Sequence, residues 1–163
     1  MTLREGVLGS ESSVVDKCFG DEEAARADAE RLIDTSVVAR MIDCGHSGAR
    51  VGYVHYVVEG NHLYFYAEGR SLLAQTFLDA PIVLEIDDVD PASGLGSSLV
   101  IHGTARPAHA VVCKKIERRA PKSAVHATPQ CRLVEVVPSS FGWQRIEPGR
   151  CDDPASVRTW MAD

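Results

Sequence analysis

The chain has 163 residues, of which 45% are hydrophobic and 25% charged, and its formal net charge at pH 7 is -6. This length and composition are typical of one soluble globular domain with its own core. The negative charge argues against non-specific binding to nucleic acid, which needs a basic surface. No apolar run approaches the roughly 18 residues that cross a bilayer, and the first residues lack the apolar segment of a signal peptide. We therefore expect a cytoplasmic protein that binds no membrane.

The chain contains five cysteines, which are widely spaced and include no C-x-x-C pair. Isolated cysteines in odd number are typical of a reducing compartment, where the thiol packs as a small apolar group. We expect neither a disulfide framework nor a cysteine-based zinc site.

The first part of the chain divides into an arm and a helix. Residues 1–20 mix glycine, serine and charged residues with little periodicity, so we expect a mobile arm, with a short strand at Ser13–Val15. A helix is predicted over Asp21–Asp34, because three acidic residues open it, where the helix dipole favours negative charge. Its apolar face consists of Ala25, Ala29, Leu32 and Ile33. Because half of these side chains are alanine, we expect the helix to pack shallowly on a larger body.

Residues 36–147 read mainly as strands joined by short turns. Gly60 is predicted to lie in a tight turn that needs positive φ, and Gly103 in a bulge within a strand. Val51–Glu59 is apolar on both sides, which indicates burial on both faces. Helices are expected at Ser71–Leu78 and Ala108–Arg119. The expected strands are Ser36–Ile42, Val51–Glu59, Leu63–Tyr66, Ile82–Asp87, Ser97–Arg106, Arg132–Pro138 and Phe141–Glu147.

Together these elements predict one α+β domain over residues 21–147. Hairpin-like links favour an antiparallel sheet, and six or seven strands in a small domain close most readily as a barrel, because closure removes exposed edges. Residues 148–163 form a polar tail, in which we expect a docking patch at Val157, Trp160 and Met161.

The turn at Gly69, Arg70 and Ser71 has the composition of an anion site. Backbone N–H groups at a helix start, a hydroxyl and a guanidinium would converge there, and the aromatic run Tyr64–Tyr66 just before it could flank a planar ring. The plainer alternative is a surface arginine, a helix cap and core aromatics. The residues alone leave both open and favour the plainer one, because such turns are common.

A resemblance to a known family bears on this choice. The order Val-Val-Glu-Gly-Asn, Leu-Tyr-Phe-Tyr-Ala-Glu-Gly-Arg-Ser, a helix, Pro-Ile-Val-Leu-Glu-Ile-Asp-Asp, a loop and Ser-Ser-Leu-Val-Ile-His-Gly-Thr-Ala resembles the FMN-binding split-barrel proteins. These are relatives of pyridoxamine 5'-phosphate oxidase and include nitroimidazole-resistance-like proteins and actinobacterial deazaflavin binders. The resemblance covers roughly residues 35–147. It implies an antiparallel split β-barrel with flanking helices, forming a homodimer with a small-molecule ligand at the subunit interface.

The resemblance also implies which residues contact the cofactor. The turn that follows Tyr66 would hold the phosphate, and the strand from Tyr53 would pass beside the flavin ring. The turn departs from the family pattern, since Ala67 cannot donate a hydrogen bond, Glu68 repels a phosphate, and leucines follow Ser71 where a lysine is usual. The expected cofactor-binding residues are Tyr53, His55, Tyr56, Tyr66, Ala67, Glu68, Gly69, Arg70, Ser71 and Ser98.

Other chemistry finds less support in the sequence. No histidine pair has the helical spacing of a metal site, although His46, His55 and His102 are candidate axial ligands for haem, which some split-barrel relatives bind. The acidic run at 85–90 fails as a calcium loop, because the position that requires glycine is Ser93. No nucleophile motif or phosphate loop occurs.

Two functions are compatible with these residues and with the resemblance. The first is an oxidoreductase that binds FMN or a deazaflavin and acts on an unidentified small molecule. The alternative is a non-redox binding protein with a degenerate phosphate site, which holds haem, another small ligand or nothing.

Overall fold

The computed structural model describes residues 12–43, 50–68, 80–119, 131–149 and 157–162. Its elements are α1 (Ser12–Thr35), β1 (Val38–Asp43), β2 (Arg50–Glu59), β3 (His62–Glu68), β4 (Ala80–Val89), β5 (Gly96–Pro107), α2 (Ala110–Arg119), β6 (Cys131–Ile146) and β7 (Arg158–Met161). The predicted helix at Ser71–Leu78 lies outside the described residues. Within them, no helix combines the length and the apolar character that a membrane crossing needs.

The first helix is longer than the sequence predicts. It begins at Ser12 rather than Asp21, so the strand predicted at Ser13–Val15 is wrong and the later part of the expected arm is helical. Gly20 lies inside the helix. A glycine there costs about 1 kcal/mol relative to alanine, which is too little to end a helix that continues on both sides.

The strands form a closed antiparallel barrel. The sheet order is β3-β2-β1-β4-β5-β6-β7, and an additional β3–β6 pairing joins the first six strands into a ring. All of these pairings are antiparallel. The predicted α+β fold with a six- or seven-stranded antiparallel barrel is therefore confirmed.

The strand β6 is continuous where the sequence predicts two strands. It runs for 16 residues and spans Pro138, because the ladder with β5 shifts register between His102 and Gly103 at this point. The predicted irregularity at Gly103 is thereby confirmed. Ser139 lies at the shift and donates its hydroxyl to the carbonyl oxygen of His102 at 3.1 Å.

The interior of the barrel is apolar and is covered at one end by α1. Ala25, Ala29 and Leu32 of the helix are buried, as its small-residue face predicts. Two hydrogen bonds fix the helix in place: Tyr56 Oη donates to Ile33 O at 2.9 Å, and the indole N–H of Trp143 donates to Asp28 at 2.9 Å. The strand side of the core comprises Ala39, Tyr56, Leu63, Phe65, Ala67, Ile82, Leu84, Ile86, Leu99, Ile101, Ala105, Val134 and Val136.

A second apolar cluster lies between α2 and the outer side of the barrel. Tyr64, Ile116 and Leu133 are buried there, and Tyr66 and Val112 pack against them. Side chains alternate along β3, so that Tyr64 and Tyr66 face α2 while Phe65 faces the interior. The helix thus covers one part of the outer sheet surface.

The tail after residue 148 contributes a strand. β7 pairs with the second half of β6, and the indole ring of Trp160 stacks on Phe141 with centroids 5.7 Å apart. Two residues of the predicted docking patch, Trp160 and Met161, therefore belong to a strand at the edge of the sheet.

Candidate functional site

The barrel opens between β2 and β3. The two strands pair from Glu59 and His62 up to Tyr56 and Phe65, and the ladder ends there although both strands continue. Beyond that point β2 pairs only with β1 in the described part of the chain, while β3 pairs with β6 as far as Glu68. The result is a split in the barrel wall.

Five of the predicted cofactor-binding residues border this split. Tyr53 and His55 lie on the part of β2 that pairs with β1 but not with β3. Both residues are exposed, Tyr53 to 75%. Across the split, Tyr66, Ala67 and Glu68 form the last part of β3. The predicted burial of β2 on both faces is wrong for the single chain, because its outer face is open to solvent.

The remaining predicted residues fall into three groups. Tyr56 faces the interior, where its hydroxyl bonds to α1, so it is a packing residue in this chain. Ser98 lies on β5, opposite Asp87, and β5 is three strands from β2 in the sheet order, a separation of roughly 14 Å. Gly69, Arg70 and Ser71 lie outside the described residues.

An ion-paired arginine adjoins Tyr53 on the outer face. Arg40 lies opposite Tyr53 in the β1–β2 ladder, and its guanidinium bonds to Glu85 at 2.7 Å and to Asp87 at 3.3 Å. The charge of Glu85, and then a hydrogen bond with Tyr53, raise the pKa of Arg40. The exposed valines Val38 and Val51 flank this group, which gives the face an apolar surface around a neutralised charge.

Two predicted residues have buried hydroxyls without a hydrogen-bond partner among the described residues, namely Tyr66 and Ser98. Burial, followed by the charge of Glu117, raises the pKa of Tyr66, so this phenol stays protonated and is a donor. Buried hydroxyls of this kind are uncommon, and each calls for an explanation such as an ordered water or a ligand.

A buried carboxylate lies opposite Tyr64 in the β3–β6 ladder. Glu135 on β6 accepts hydrogen bonds from Tyr64 Oη, His62 Nδ1 and Arg106 Nε, each at 2.7 Å. Burial acts to raise the pKa of Glu135, but the bond from Arg106 and those from Tyr64 and His62 outweigh it and lower the pKa. This cluster was missed by sequence reasoning because its members come together only through the β3–β6 and β5–β6 ladders.

A cleft lies elsewhere on the barrel, between α1, the β2–β3 turn and β7. Its volume is about 430 Å³, and its lining includes Glu30, Asp34, His62, Phe141 and Trp160. None of the predicted cofactor-binding residues that the structure describes lines it. The tail strand supplies one wall, through Trp160 and Met161 of the predicted docking patch.

The histidines proposed as haem ligands are dispersed. His55 and His102 are exposed on β2 and β5, whereas His46 lies outside the described residues. Among the residues that the structure describes, no group of three histidine, cysteine or acidic side chains could hold a metal ion.

Solved structures of other proteins share this architecture. The FAD-binding protein of Mycobacterium smegmatis matches with a TM-score of 0.59 at 17% identity, over 74% of this chain and 93% of that one. The chain has the split-barrel fold. A protein of the pyridoxinephosphate oxidase family from Clostridium acetobutylicum, related to general stress protein 26, matches with a TM-score of 0.59 at 13% identity, over 85% of this chain and 95% of that one.

A haem-binding protein of Mycobacterium smegmatis also has this split barrel, with a TM-score of 0.63 at 11% identity, over 84% of this chain and 57% of that one. No protein-family model matches the chain, and no curated protein matches its sequence. At these identities the likeness establishes the fold, and the resemblance to FMN-binding split-barrel proteins is confirmed at that level.

Proposed function

We propose that this split barrel binds a flavin at the opening between β2 and β3 and acts as an oxidoreductase on a small molecule. The observation that supports this most is the split itself, which places Tyr53 and His55 on one side of an opening and Tyr66 to Glu68 on the other. The predicted phosphate turn, residues 67–71, begins at this same opening.

The described residues fit a flavin in part. Tyr53 is exposed and presents an aromatic face for a planar ring. Ala67 offers no side-chain hydrogen bond, so the phosphate end would depend on backbone N–H groups and Arg70. The flavin, when bound, supplies the redox chemistry. The chain binds and orients it and limits its contact with water.

We further propose a homodimer that covers the outer face of β1 and β2. Val38, Val51 and Tyr53 lie on the same face of the β1–β2 pair and are exposed to 37%, 62% and 75%. An apolar surface around the neutralised Arg40 is suited to a second copy of the chain, because contiguous exposed apolar residues commonly mark an interface. The flavin would then lie between the two subunits.

Titration calorimetry with FMN and FAD tests the flavin site. Binding of one of them is expected, and Tyr53→Ala should weaken it at least about tenfold, which corresponds to the 1.4 kcal/mol that a lost aromatic contact can represent. The control is Val111→Ala, since Val111 is exposed to a similar degree, 69%, on α2. Equal affinity in the two variants would place the flavin elsewhere, and absence of heat with both cofactors would refute the proposal.

The second candidate function is a non-redox split barrel that binds haem. It is favoured by the imidazole of His55, which is exposed at the split and so accessible to an iron that needs an axial ligand. Addition of haem to the purified protein separates the two candidates. A shifted Soret band that His55→Ala abolishes supports the haem site, and an unshifted band together with flavin binding excludes it.

A further inference from the structure

The cleft between α1, the β2–β3 turn and β7 has an apolar, partly aromatic wall. Ile33, Leu63 and Met161 contribute aliphatic surface, and the stacked rings of Phe141 and Trp160 form one side. A volume of about 430 Å³ is within the range of sites for small organic molecules. The cleft could therefore enclose the body of a single-ring compound.

The rim of this cleft carries unpaired negative charge. Glu30 and Asp34 lie one helical turn apart on α1, and they line the cleft together. Both are exposed, and neither has an ion-pair partner among the described residues. Burial raises the pKa of Tyr56, and the negative charge of Asp34 raises it further. Asp34 therefore acts electrostatically on the Tyr56 hydroxyl.

His62 adds a hydrogen-bond acceptor to the lining of the cleft. A carboxylate can only accept, so the 2.7 Å bond between His62 and Glu135 requires that Nδ1 carry the proton. In the neutral imidazole, Nε2 is then an acceptor, and His62 lines the cleft. Glu135 thereby fixes the tautomer in which Nε2 accepts a hydrogen bond from a ligand.

A cation already lies against the aromatic wall. The guanidinium carbon of Arg26 is 5.4 Å from the centroid of the Trp160 ring, within the distance at which an aromatic face attracts positive charge. The Arg26 guanidinium also forms an exposed ion pair with Glu22, with Nη2 3.2 Å from Oε1. A positive charge thus packs against the aromatic wall, and the carboxylates of Glu30 and Asp34 line the same cleft.

From these contacts we infer that the cleft binds a small organic cation, namely an amine carried on an aromatic or aliphatic body. The two carboxylates bind the ammonium group, His62 accepts one of its N–H donors, and the body packs against Phe141 and Trp160. An anion of the same size is repelled by the two carboxylates, whereas Arg26, which also lines the cleft, is already paired with Glu22. This site is separate from the proposed flavin site and does not depend on it.

Titration calorimetry of the full chain with 2-phenylethylamine and with 3-phenylpropionate tests the inference, because the two probes share their ring and chain and differ in charge. We expect binding of the amine and no heat with the carboxylate. Asp34→Asn and Glu30→Gln should each weaken amine binding about fivefold, the factor for an exposed ion pair near the top of its range. Glu23→Gln is the matched control, since Glu23 is exposed on the same helix and does not line the cleft.

Three results would overturn the inference. They are absence of binding by the amine, equal or tighter binding of 3-phenylpropionate, and amine affinities for Asp34→Asn and Glu30→Gln that equal that of Glu23→Gln. Both substituted carboxylates are exposed, so the variants are expected to fold. Tyr53→Ala should leave amine binding unchanged, which separates this site from the flavin site at the split.

Discussion

The buried carboxylate of Glu135 allows a quantitative test of what holds β3, β5 and β6 together. Replacement by glutamine keeps the shape of the side chain and one carbonyl oxygen, which can still accept from Tyr64 and His62. The amide nitrogen then faces Arg106 Nε, so a donor meets a donor where a charged hydrogen bond of 2.7 Å existed.

The expected cost of Glu135→Gln is about 2 kcal/mol of unfolding free energy. A hydrogen bond to a charged group contributes about 1.5–3 kcal/mol. The low end applies because Arg106 is 46% exposed and its charge is screened by solvent. The bonds from Tyr64 and His62 weaken as well, because their acceptor becomes neutral. For a domain of this size, about 2 kcal/mol lowers Tm by roughly 4–8 °C.

Urea unfolding at fixed protein concentration measures this cost. The control is Glu22→Gln, which removes the ion pair with Arg26, where both side chains are nearly half exposed and the expected loss is below about 0.5 kcal/mol. The pKa of Glu135 is lowered in the folded state, so its contribution is present above the ordinary pKa of a glutamate and is lost as pH falls through the folded value. The difference between the wild type and Glu135→Gln should therefore shrink in acid. Equal losses in the two variants, or a difference that does not change with pH, would refute the reasoning.

Three further predictions concern packing, hydroxyl groups and assembly. A Cβ added at Gly103 lies 2.7 Å from a backbone carbonyl oxygen of β6, so Gly103→Ala should destabilise by about 1–3 kcal/mol in urea unfolding. Gly52→Ala, with its nearest contact at 3.7 Å, should stay within about 0.5 kcal/mol, and equal effects would contradict this. Tyr64→Phe removes the hydrogen bond to Glu135 and should lower the free energy of unfolding by about 1.5 kcal/mol. Tyr66→Phe removes a hydroxyl with no partner in the described residues and should leave the free energy of unfolding unchanged. A larger loss in Tyr66→Phe than in Tyr64→Phe would show that the Tyr66 hydroxyl is bonded. Tyr53→Asp should convert the proposed dimer to a monomer in light scattering, and an unchanged mass would remove Tyr53 from the interface.

Local patterns in the sequence predict most of the strands. Apolar and aromatic runs between turn residues locate β1 to β5 within about two residues of their observed ends. Gly60 has φ of +63°, as its turn requires, and Gly103 lies at the register shift. In both places only glycine suits the backbone conformation or the space, so the residue itself indicates the structure.

Contacts between distant segments could not be predicted in the same way. The pairing of β3 with β6 brings together Tyr64 and Glu135, which are 71 positions apart, and nothing in either segment specifies the other. The pairing also brings Tyr64 and His62 to the carboxylate of Glu135, which is buried between the strands. The same holds for Trp160, whose packing partner Phe141 lies in another strand.

The candidate site was located by resemblance and only in part by the residues. The resemblance implied Tyr53, His55 and Tyr56 as one group, but side chains alternate along a strand. Tyr56 therefore faces the interior while Tyr53 and His55 face outward. The alternation of side chains between the two faces of β2 could be read from the sequence. The opening of the barrel beside Tyr53 could not, because it depends on where the β2–β3 ladder ends.

The most direct test of the flavin proposal is the absorbance spectrum and ligand mass of the purified full-length chain, before and after saturation with FMN or FAD. We predict the visible bands of an oxidised flavin, a released ligand with the mass of a flavin cofactor, and loss of those bands in Tyr53→Ala but not in Val111→Ala. A chain that shows no visible band, releases no flavin and gains none on addition of FMN or FAD would contradict the proposed function.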